Sequence, residues 1–280
     1  VVGVNAGTVR KLVFSGSVAG TEGSQYGTGG IAGRNNLPEA DRAGVIEDCF
    51  LSGGSVSASG AAGFGGFTER IAGVYVGGIC GINPEKGTIK GCGLKDGAKV
   101  SGNNGYVGGI TGHNFGELID NVSDAASTAT VFNSGGSCVM GGIAGYNGAD
   151  GRLENCATGK WTVNNRMTGG AEKFPTGGVI GCNQSVNDQK GLINRAAVSG
   201  DWMTGGIIGL QQTERRGGFT IEGCENHGEI TGRIRTAGGI ISDWRYQNGR
   251  VRECINYGKI SIEAGDGRNG AGGIIGTGWG

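Results

Sequence analysis

Long hydrophobic runs, a surplus of one charge and metal-binding motifs are all missing from this chain. No apolar stretch approaches the roughly 20 residues that a membrane-spanning helix needs, so we expect no membrane insertion by this chain. The 24 basic residues balance the 24 acidic ones, which does not suit nucleic-acid binding. The eight cysteines form no Cys-x-x-Cys or Cys-x-x-His pair, so a zinc site has no support.

Proline is also scarce, with three residues, whereas glycine is abundant, with 65. Such a composition would predict disorder if the glycines were scattered without a period. They recur instead at fixed places, as in "GGIAGYNGADGRLENC" at 141–156, at intervals of about 33 residues. One interval, from Ile31 to Ile79, is longer. The chain therefore consists of repeats, and disorder is excluded.

The first repeated phrase is Gly-Gly-[IV]-x-Gly-x-Asn, with five complete copies between residues 29 and 183. Glycine supplies the positive φ values that sharp corners need, and asparagine can bond neighbouring backbone groups there. Three later copies end in Gln211, Trp244 and Gly278, where the corner should differ. The predicted structural residues are Gly30, Gly78, Gly109, Gly142 and Gly178, together with Asn35, Asn83, Asn114, Asn147 and Asn183.

Two further phrases, Gly-x-[VIL]-x-x-Cys and Gly-x-[VIW]-[ST], occur between copies of the first phrase in several of the repeats. Short segments rich in Ile and Val and bounded by Gly and Asn indicate strands, and each strand should stack on its counterpart one repeat later. The predicted fold is all-β, a right-handed parallel β-helix (β-solenoid) of about eight three-stranded turns. Residues 1–280 form one solenoid domain, which we expect to be truncated within a repeat at both ends.

Stacking predicts one inward apolar column and one outward charged column. The inward column consists of Ile31, Ile79, Ile110, Ile143, Val179, Ile207, Ile240 and Ile274. The outward column consists of Arg10, Glu47, Lys90, Ile119, Glu154, Asn194, Glu222 and Arg252, in which opposite charges often follow one another. Opposite charges on neighbouring strands contribute a few tenths of a kcal/mol each.

Five cysteines, Cys49, Cys92, Cys156, Cys224 and Cys254, share one repeat position with Leu12, Asn121 and Ala196. Exchange with small apolar residues predicts a buried, reduced packing column. Disulfides between Cys49 and Cys92 or between Cys224 and Cys254 remain open, because neighbouring turns are within bonding range.

Residues for catalysis are not evident in the sequence. His113 and His227 occupy positions that vary between repeats, so we expect them at the surface rather than in a triad. Neither Gly159-Lys160 nor Gly258-Lys259 has the earlier glycine of a phosphate loop. Acidic residues alternate with basic ones, which favours a solvated face over a carboxylate pair. We therefore predict no catalytic residue, no metal site and no cofactor.

The connection at 58–74 is the longest departure from the repeat and is predicted to be an inserted loop. In repeat proteins such insertions often collect on one binding edge. Phe64 and Phe67 are the candidate binding residues there. The alternative is that both phenylalanines fold back over the coil.

The phrases "GGIAGRN", "GGICGIN", "GGITGHN" and "GGIAGYN" resemble the GLUG motif of bacterial surface and secreted proteins, including adhesin-like proteins and regions of immunoglobulin A peptidases. This resemblance implies an extracellular or cell-surface β-solenoid, and it carries over no catalytic residue. We expect a non-enzymatic adhesion or spacer module of a larger bacterial surface protein, with a host glycan or extracellular protein as partner. The alternatives are a β-helical carbohydrate-active enzyme and a passive stalk attached to a peptidase.

Overall fold

The computed structural model shows an all-β chain whose strands stack in parallel from one turn to the next. It describes residues 1–21, 27–36, 42–60, 73–166, 174–213, 218–245, 248–263 and 270–278. These residues contain no helix. The predicted β-solenoid is confirmed, since each strand pairs with strands of the preceding and following repeats.

Each turn contributes four principal strands, not the predicted three, and we number the sheets in the order in which a turn visits them. Sheet 1 contains Val2–Val4, Ala32–Arg34, Cys80–Asn83, Thr111–Asn114, Ala144–Asn147, Ile180–Asn183, Ile208–Gln211, Ile241–Trp244 and Ile275–Gly278. Sheet 2 contains Thr8–Arg10, Val45–Glu47, Thr88–Lys90, Glu117–Ile119, Arg152–Glu154, Gln189–Lys190, Phe219–Glu222 and Gly249–Arg252.

Sheets 3 and 4 complete the turn. Sheet 3 contains Ser17–Thr21, Ser55–Ser59, Ala98–Asn103, Ala129–Asn133, Thr162–Asn165, Ala197–Gly200, Ile230–Gly232 and Ile260–Ile262. Sheet 4, the one that the sequence did not predict, contains Thr28–Gly29, Val74–Gly77, Gly105–Gly108, Cys138–Gly141, Pro175–Gly177, Met203–Gly205, Thr236–Gly238 and Gly270–Gly272.

Two short sheets lie between sheets 2 and 3. One contains Val13–Phe14, Phe50–Leu51 and Gly93–Leu94, and the other contains Ile193–Asn194, Glu225–Asn226 and Ile255–Asn256. The chain enters this corner through one residue of left-handed backbone per turn, with φ between 51° and 63°. These residues are Lys11, Asp48, Gly91, Asp120, Asn155, Gly191, Gly223 and Glu253.

The strand register corrects the outward charged column in one turn. Glu154 lies opposite Lys190, and Lys190 lies opposite Glu222, so Lys190 stands where Asn194 was predicted. The Lys190 Nζ is 3.6 Å from the Glu222 Oε2. Likewise Leu192, and not Ala196, occupies the turn between Cys156 and Cys224 in the cysteine column, because the next residue, Ile193, pairs with Ala157 and Glu225. The corrected column alternates in sign more regularly than the predicted one.

The main core lies inside the coil and contains the predicted inward column. Its members from Ile31 to Ile240 are fully buried, whereas Ile274 on the last turn is 37% exposed. Trp161 is also buried, although Val163, and not Trp161, lies in the column of Ile230 and Ile260.

A second, smaller core lies where sheets 1 and 4 meet. Alternate residues of the same strands enter the two cores: Val107 packs in the main core, whereas its neighbour Tyr106 packs in the second. The second core contains Tyr106, Val139, Tyr146, Phe174, Cys182, Met203 and Leu210. Strands of both sheets are therefore buried on two faces.

Candidate functional site

The predicted structural glycines stack directly on one another along the solenoid. The Gly78 amide donates to the Gly109 carbonyl at 2.9 Å, and the Gly30 amide donates to Gly78 in the same way at 3.2 Å. A Cβ added to Gly30 would lie 2.5 Å from the Gly78 oxygen. None of these glycines has a positive φ. Their role is thus to let successive turns approach closely, and the predicted left-handed corner was wrong for them.

The predicted asparagines form a continuous hydrogen-bonded ladder inside the solenoid. Each side-chain Nδ2 donates to the side-chain oxygen of the next turn, over distances of 2.7 to 2.9 Å. The asparagine ladder consists of Asn5, Asn35, Asn83, Asn114, Asn147 and Asn183, and it ends on Gln211. Each asparagine also donates to a backbone carbonyl of its own turn's corner, except Asn183, for which the described part of the chain records only the ladder bond.

The ladder stops where the sequence departs from the repeat. Gln211 accepts from Asn183, but its own buried Nε2 has no hydrogen-bond partner among the described residues, because the next turn places Trp244 there. Trp244 stacks instead on Phe219, with ring centroids 5.6 Å apart. The corner therefore changes as expected at this point.

A second ladder, which the sequence analysis did not predict, begins near the same turns. Asn194 donates to Asn226 at 2.8 Å, and Asn226 donates to Asn256 at 2.7 Å. The recurring Asn in "INRA", "ENHG" and "INYG" was its available signal. The first asparagine ladder thus ends at Gln211, and the second begins at Asn194.

His113 lies in a buried aromatic cluster, which corrects the predicted surface position. Its side chain is 3% exposed, and its ring packs against Tyr75, Tyr106, Phe115 and Tyr146 at centroid distances of 4.2 to 5.3 Å. The His113 Nε2 is buried and has no hydrogen-bond partner in the part of the chain that the structure describes. Burial, together with the smaller effect of the nearby Arg34 charge, lowers the pKa of His113 to about 3. The imidazole is therefore neutral in the folded chain at ordinary pH.

His227 is exposed at the surface, as predicted for both histidines. Its Nε2 lies 2.8 Å from the Glu225 Oε2, and its ring stacks on Tyr257 at 4.7 Å. The two histidines are on different turns and have different partners, so the structure does not bring them into one site.

All eight cysteines are free thiols, and seven are buried. Burial raises the pKa of Cys80, Cys138, Cys156 and Cys182 to about 12. Hydrogen bonds from the neighbouring thiols Cys92 and Cys224 lower the pKa of Cys49 and Cys254, respectively, to about 7. Cys254 is the one partly exposed member of the column.

Most carboxylates that form ion pairs do so with a basic residue at the surface. Arg152 contacts Glu117 and Glu154, and Lys259 contacts Glu229. Within the described ranges, no group of three or more His, Cys, Asp or Glu residues could hold a metal ion. No helix in this part of the chain is long and apolar enough to cross a membrane.

The connections from sheet 3 to sheet 4 form the variable edge of the molecule, which we call the connecting edge. One residue, Asn104, joins strands Ala98–Asn103 and Gly105–Gly108, whereas residues 60–73 join Ser55–Ser59 to Val74–Gly77. Most of the predicted 58–74 loop, with the candidate residues Phe64 and Phe67, lies outside the described residues.

The start of that loop is anchored by its neighbouring turn. The Gly60 amide donates to the Asn103 Oδ1 at 2.8 Å, and the Asn104 Nδ2 donates to the Gly60 carbonyl at 2.9 Å. Further along the same edge, Asp201, which is 2% exposed, binds Arg233 through both carboxylate oxygens, at 3.0 and 3.1 Å. The connecting edge can thus hold polar side chains in fixed positions.

Comparison of the chain with models of protein families, with characterised proteins and with solved structures found no match. The resemblance to the GLUG motif remains a prediction.

Proposed function

We propose that this chain is a non-enzymatic, extracellular adhesion or spacer module of a bacterial surface protein. The observation that carries the proposal is the contrast between the regular coil and its connecting edge. Parallel sheets and a buried side-chain ladder run through successive turns, while the connections from sheet 3 to sheet 4 change in length. Such a coil can carry variable connections without rearranging its core.

The outward surface supports a binding role more than a catalytic one. An acid–base enzyme needs converging groups with matched pKa values, held in a water-excluding site. The exposed carboxylates on sheet 2 instead face basic side chains, as Glu222 faces Lys190. Surface pairs of this kind serve solubility and register, and each contributes little to stability.

The test is a screen of the intact protein against glycans and extracellular matrix proteins, with a product assay on the same substrates. A second protein with residues 61–72 replaced by a short Gly-Ser linker locates the binding. We expect binding by the intact protein, weaker binding by the shortened one, and no product. Product formation would support the carbohydrate-active enzyme, and absence of any binding would support the passive stalk.

A further inference from the structure

Two neighbouring connections at the connecting edge place a tryptophan against an arginine. Met203 lies opposite Thr236 in the register of sheet 4, so the preceding residues, Trp202 and Arg235, also face each other. The Thr236 amide donates to the Trp202 carbonyl at 2.8 Å. The Arg235 Cζ lies 5.5 Å from the centroid of the Trp202 ring, which is a cation–π contact.

A second guanidinium is fixed on the same two connections. Arg233 is held by the buried Asp201 through its Nε and Nη2 atoms, and its side chain remains 38% exposed. This pairing uses the Nε and Nη2 edge of the guanidinium, and Asp201 does not engage Nη1. Asp201 therefore fixes the position of Arg233, but its carboxylate also neutralises the charge of that guanidinium.

Arg235 has no such carboxylate. Across the described ranges, its guanidinium makes no ion pair, and its one recorded side-chain contact is the Trp202 ring. A guanidinium stacked on an aromatic face keeps its N–H donors in its own plane, where they can still bond an anion. The ring thus orients Arg235 without consuming its donors.

Hydroxyl groups line the face of sheet 3 that leads to this edge. Ser199, Thr231 and Ser261 lie in one column on successive turns. All three side chains are half-buried, and the Thr231 and Ser261 hydroxyls are 3.4 Å apart. This column offers donors and acceptors to a hydroxylated ligand. The Ser199 Oγ accepts from the Arg166 Nε at 3.1 Å, and Arg166 also pairs with Glu263, so one ion pair borders the column.

We propose that Trp202, Arg233, Arg235 and this hydroxyl column form a binding site for a polysaccharide of uronic acids. A planar carboxylate matches the fork of Arg235, since arginine binds carboxylates through two parallel hydrogen bonds. The sugar hydroxyls match the serine and threonine column, which an acidic peptide would leave unused. The inference rests on the proposed adhesion function, because it names the ligand class of the connecting edge.

The experiment measures binding of the intact protein to a galacturonic acid oligosaccharide by calorimetry. The same oligosaccharide with methyl-esterified carboxyl groups and a dextran sulfate fragment, which carries sulfate but no carboxylate, are the comparison ligands. We expect binding of the free acid, at least about tenfold weaker binding of the methyl ester, and weaker binding of dextran sulfate. Tighter binding of dextran sulfate, or equal binding of the ester, would overturn the assignment of a uronic acid ligand.

Variants of the site locate the interaction. Arg235→Gln should weaken binding about tenfold, and Arg235→Lys should restore part of it, because lysine keeps the charge but loses the fork. Arg250→Gln replaces an exposed arginine on sheet 2 and is the matched control. Equal losses in Arg235→Gln and Arg250→Gln would overturn the proposed site, and circular dichroism checks that each variant is folded.

The outcomes separate this inference from the proposed function. If Arg235→Gln binds normally while shortening 61–72 abolishes binding, the adhesion function stands and the uronic acid site is wrong. If the oligosaccharide is cleaved, the non-enzymatic function is wrong, whatever the variants show.

Discussion

At the scale of single residues, the asparagine ladder shows how a buried polar column can be tolerated. A buried amide without partners costs about 1–3 kcal/mol, so a column of six asparagines would destabilise the fold if its members were unpaired. Asn114 avoids this cost: it accepts from Asn83 and donates to Asn147, at 2.8 Å each. Its Nδ2 also donates to the Gly116 carbonyl at 3.0 Å. Each member thus depends on the turns on both sides.

Replacing Asn114 by alanine should lower the free energy of unfolding by about 3 kcal/mol, because it removes three buried hydrogen bonds and leaves groups on two turns with fewer partners. Urea denaturation followed by circular dichroism measures the change. Asn248→Ala is the control, since Asn248 is exposed, and should change the free energy by less than about 0.5 kcal/mol. Equal effects of the two substitutions would show that the ladder contributes nothing to the free energy of unfolding.

The buried His113 should make the fold sensitive to mild acid. Its pKa is lowered from 6.5 to about 3 in the folded state, so the unfolded chain binds the proton first as the pH falls. Its contribution to stability is complete above about pH 6.5 and declines as the pH falls toward 3. Between pH 7 and pH 5 the loss should be about 2 kcal/mol.

The measurement is the free energy of unfolding of the wild type and of His113→Phe at both pH values. The variant should lose about 2 kcal/mol less than the wild type between pH 7 and pH 5, because phenylalanine cannot be protonated. Between pH 7.5 and pH 8.5, above the histidine range, the two proteins should respond alike. Parallel loss in both proteins below pH 7 would contradict a buried neutral imidazole.

At the scale of structural elements, the contribution of a residue to stability depends on whether it packs between two neighbouring turns. Ile110 and Ile274 hold equivalent positions in the inward column, yet Ile110 is fully buried and Ile274 is 37% exposed. The Ile79 amide donates to the Ile110 carbonyl, and the Ile110 amide donates to the Ile143 carbonyl, so Ile110 is bonded to the turns on both sides. For the turn of Ile274, the described residues show pairing with the preceding turn, between strands Ile241–Trp244 and Ile275–Gly278.

Ile110→Ala should therefore cost about 3 kcal/mol of unfolding free energy, because it leaves a cavity between two packed turns. Ile274→Ala, the same substitution in the same column, should cost less than about 1 kcal/mol. Thermal and urea unfolding of both variants would measure the difference. Similar costs would mean that neighbouring turns do not determine the stability of a position.

At the scale of the whole molecule, the repeat phrases were sufficient to predict parallel stacking, the inward column and the stacked asparagines. They were insufficient for sheet 4, whose strands share little beyond a final glycine: "VYVG", "GYVG", "CVMG" and "PTG". These strands pack on both faces, so no alternation of polar and apolar residues marks them.

The same two-sided burial explains the error at His113. Variation between Arg34, Ile82, His113 and Tyr146 indicates a solvated position when the coil is assumed to have one core. The second core makes that column an interior one in several turns. The register error between Glu154 and Glu222 has another cause. Residues 191–196, "GLINRA", fit the phrase Gly-x-[VIL]-x-x-Cys except at the last position, whereas the actual strand, Gln189–Lys190, contains no apolar residue.

The asparagine ladder also gives the molecule an electric dipole along the axis of the solenoid. Every link has the same sense, with the amide of one turn donating toward the C-terminal end. Aligned amide dipoles add, as the peptide dipoles of a helix do, and hydrogen bonds in a chain polarise one another. The column therefore has a partial negative charge near Asn5 and a partial positive charge at the Gln211 Nε2, which has no hydrogen-bond partner among the described residues. Because salt screens charges beyond about 8 Å at physiological ionic strength, this field acts on groups close to the two ends of the column.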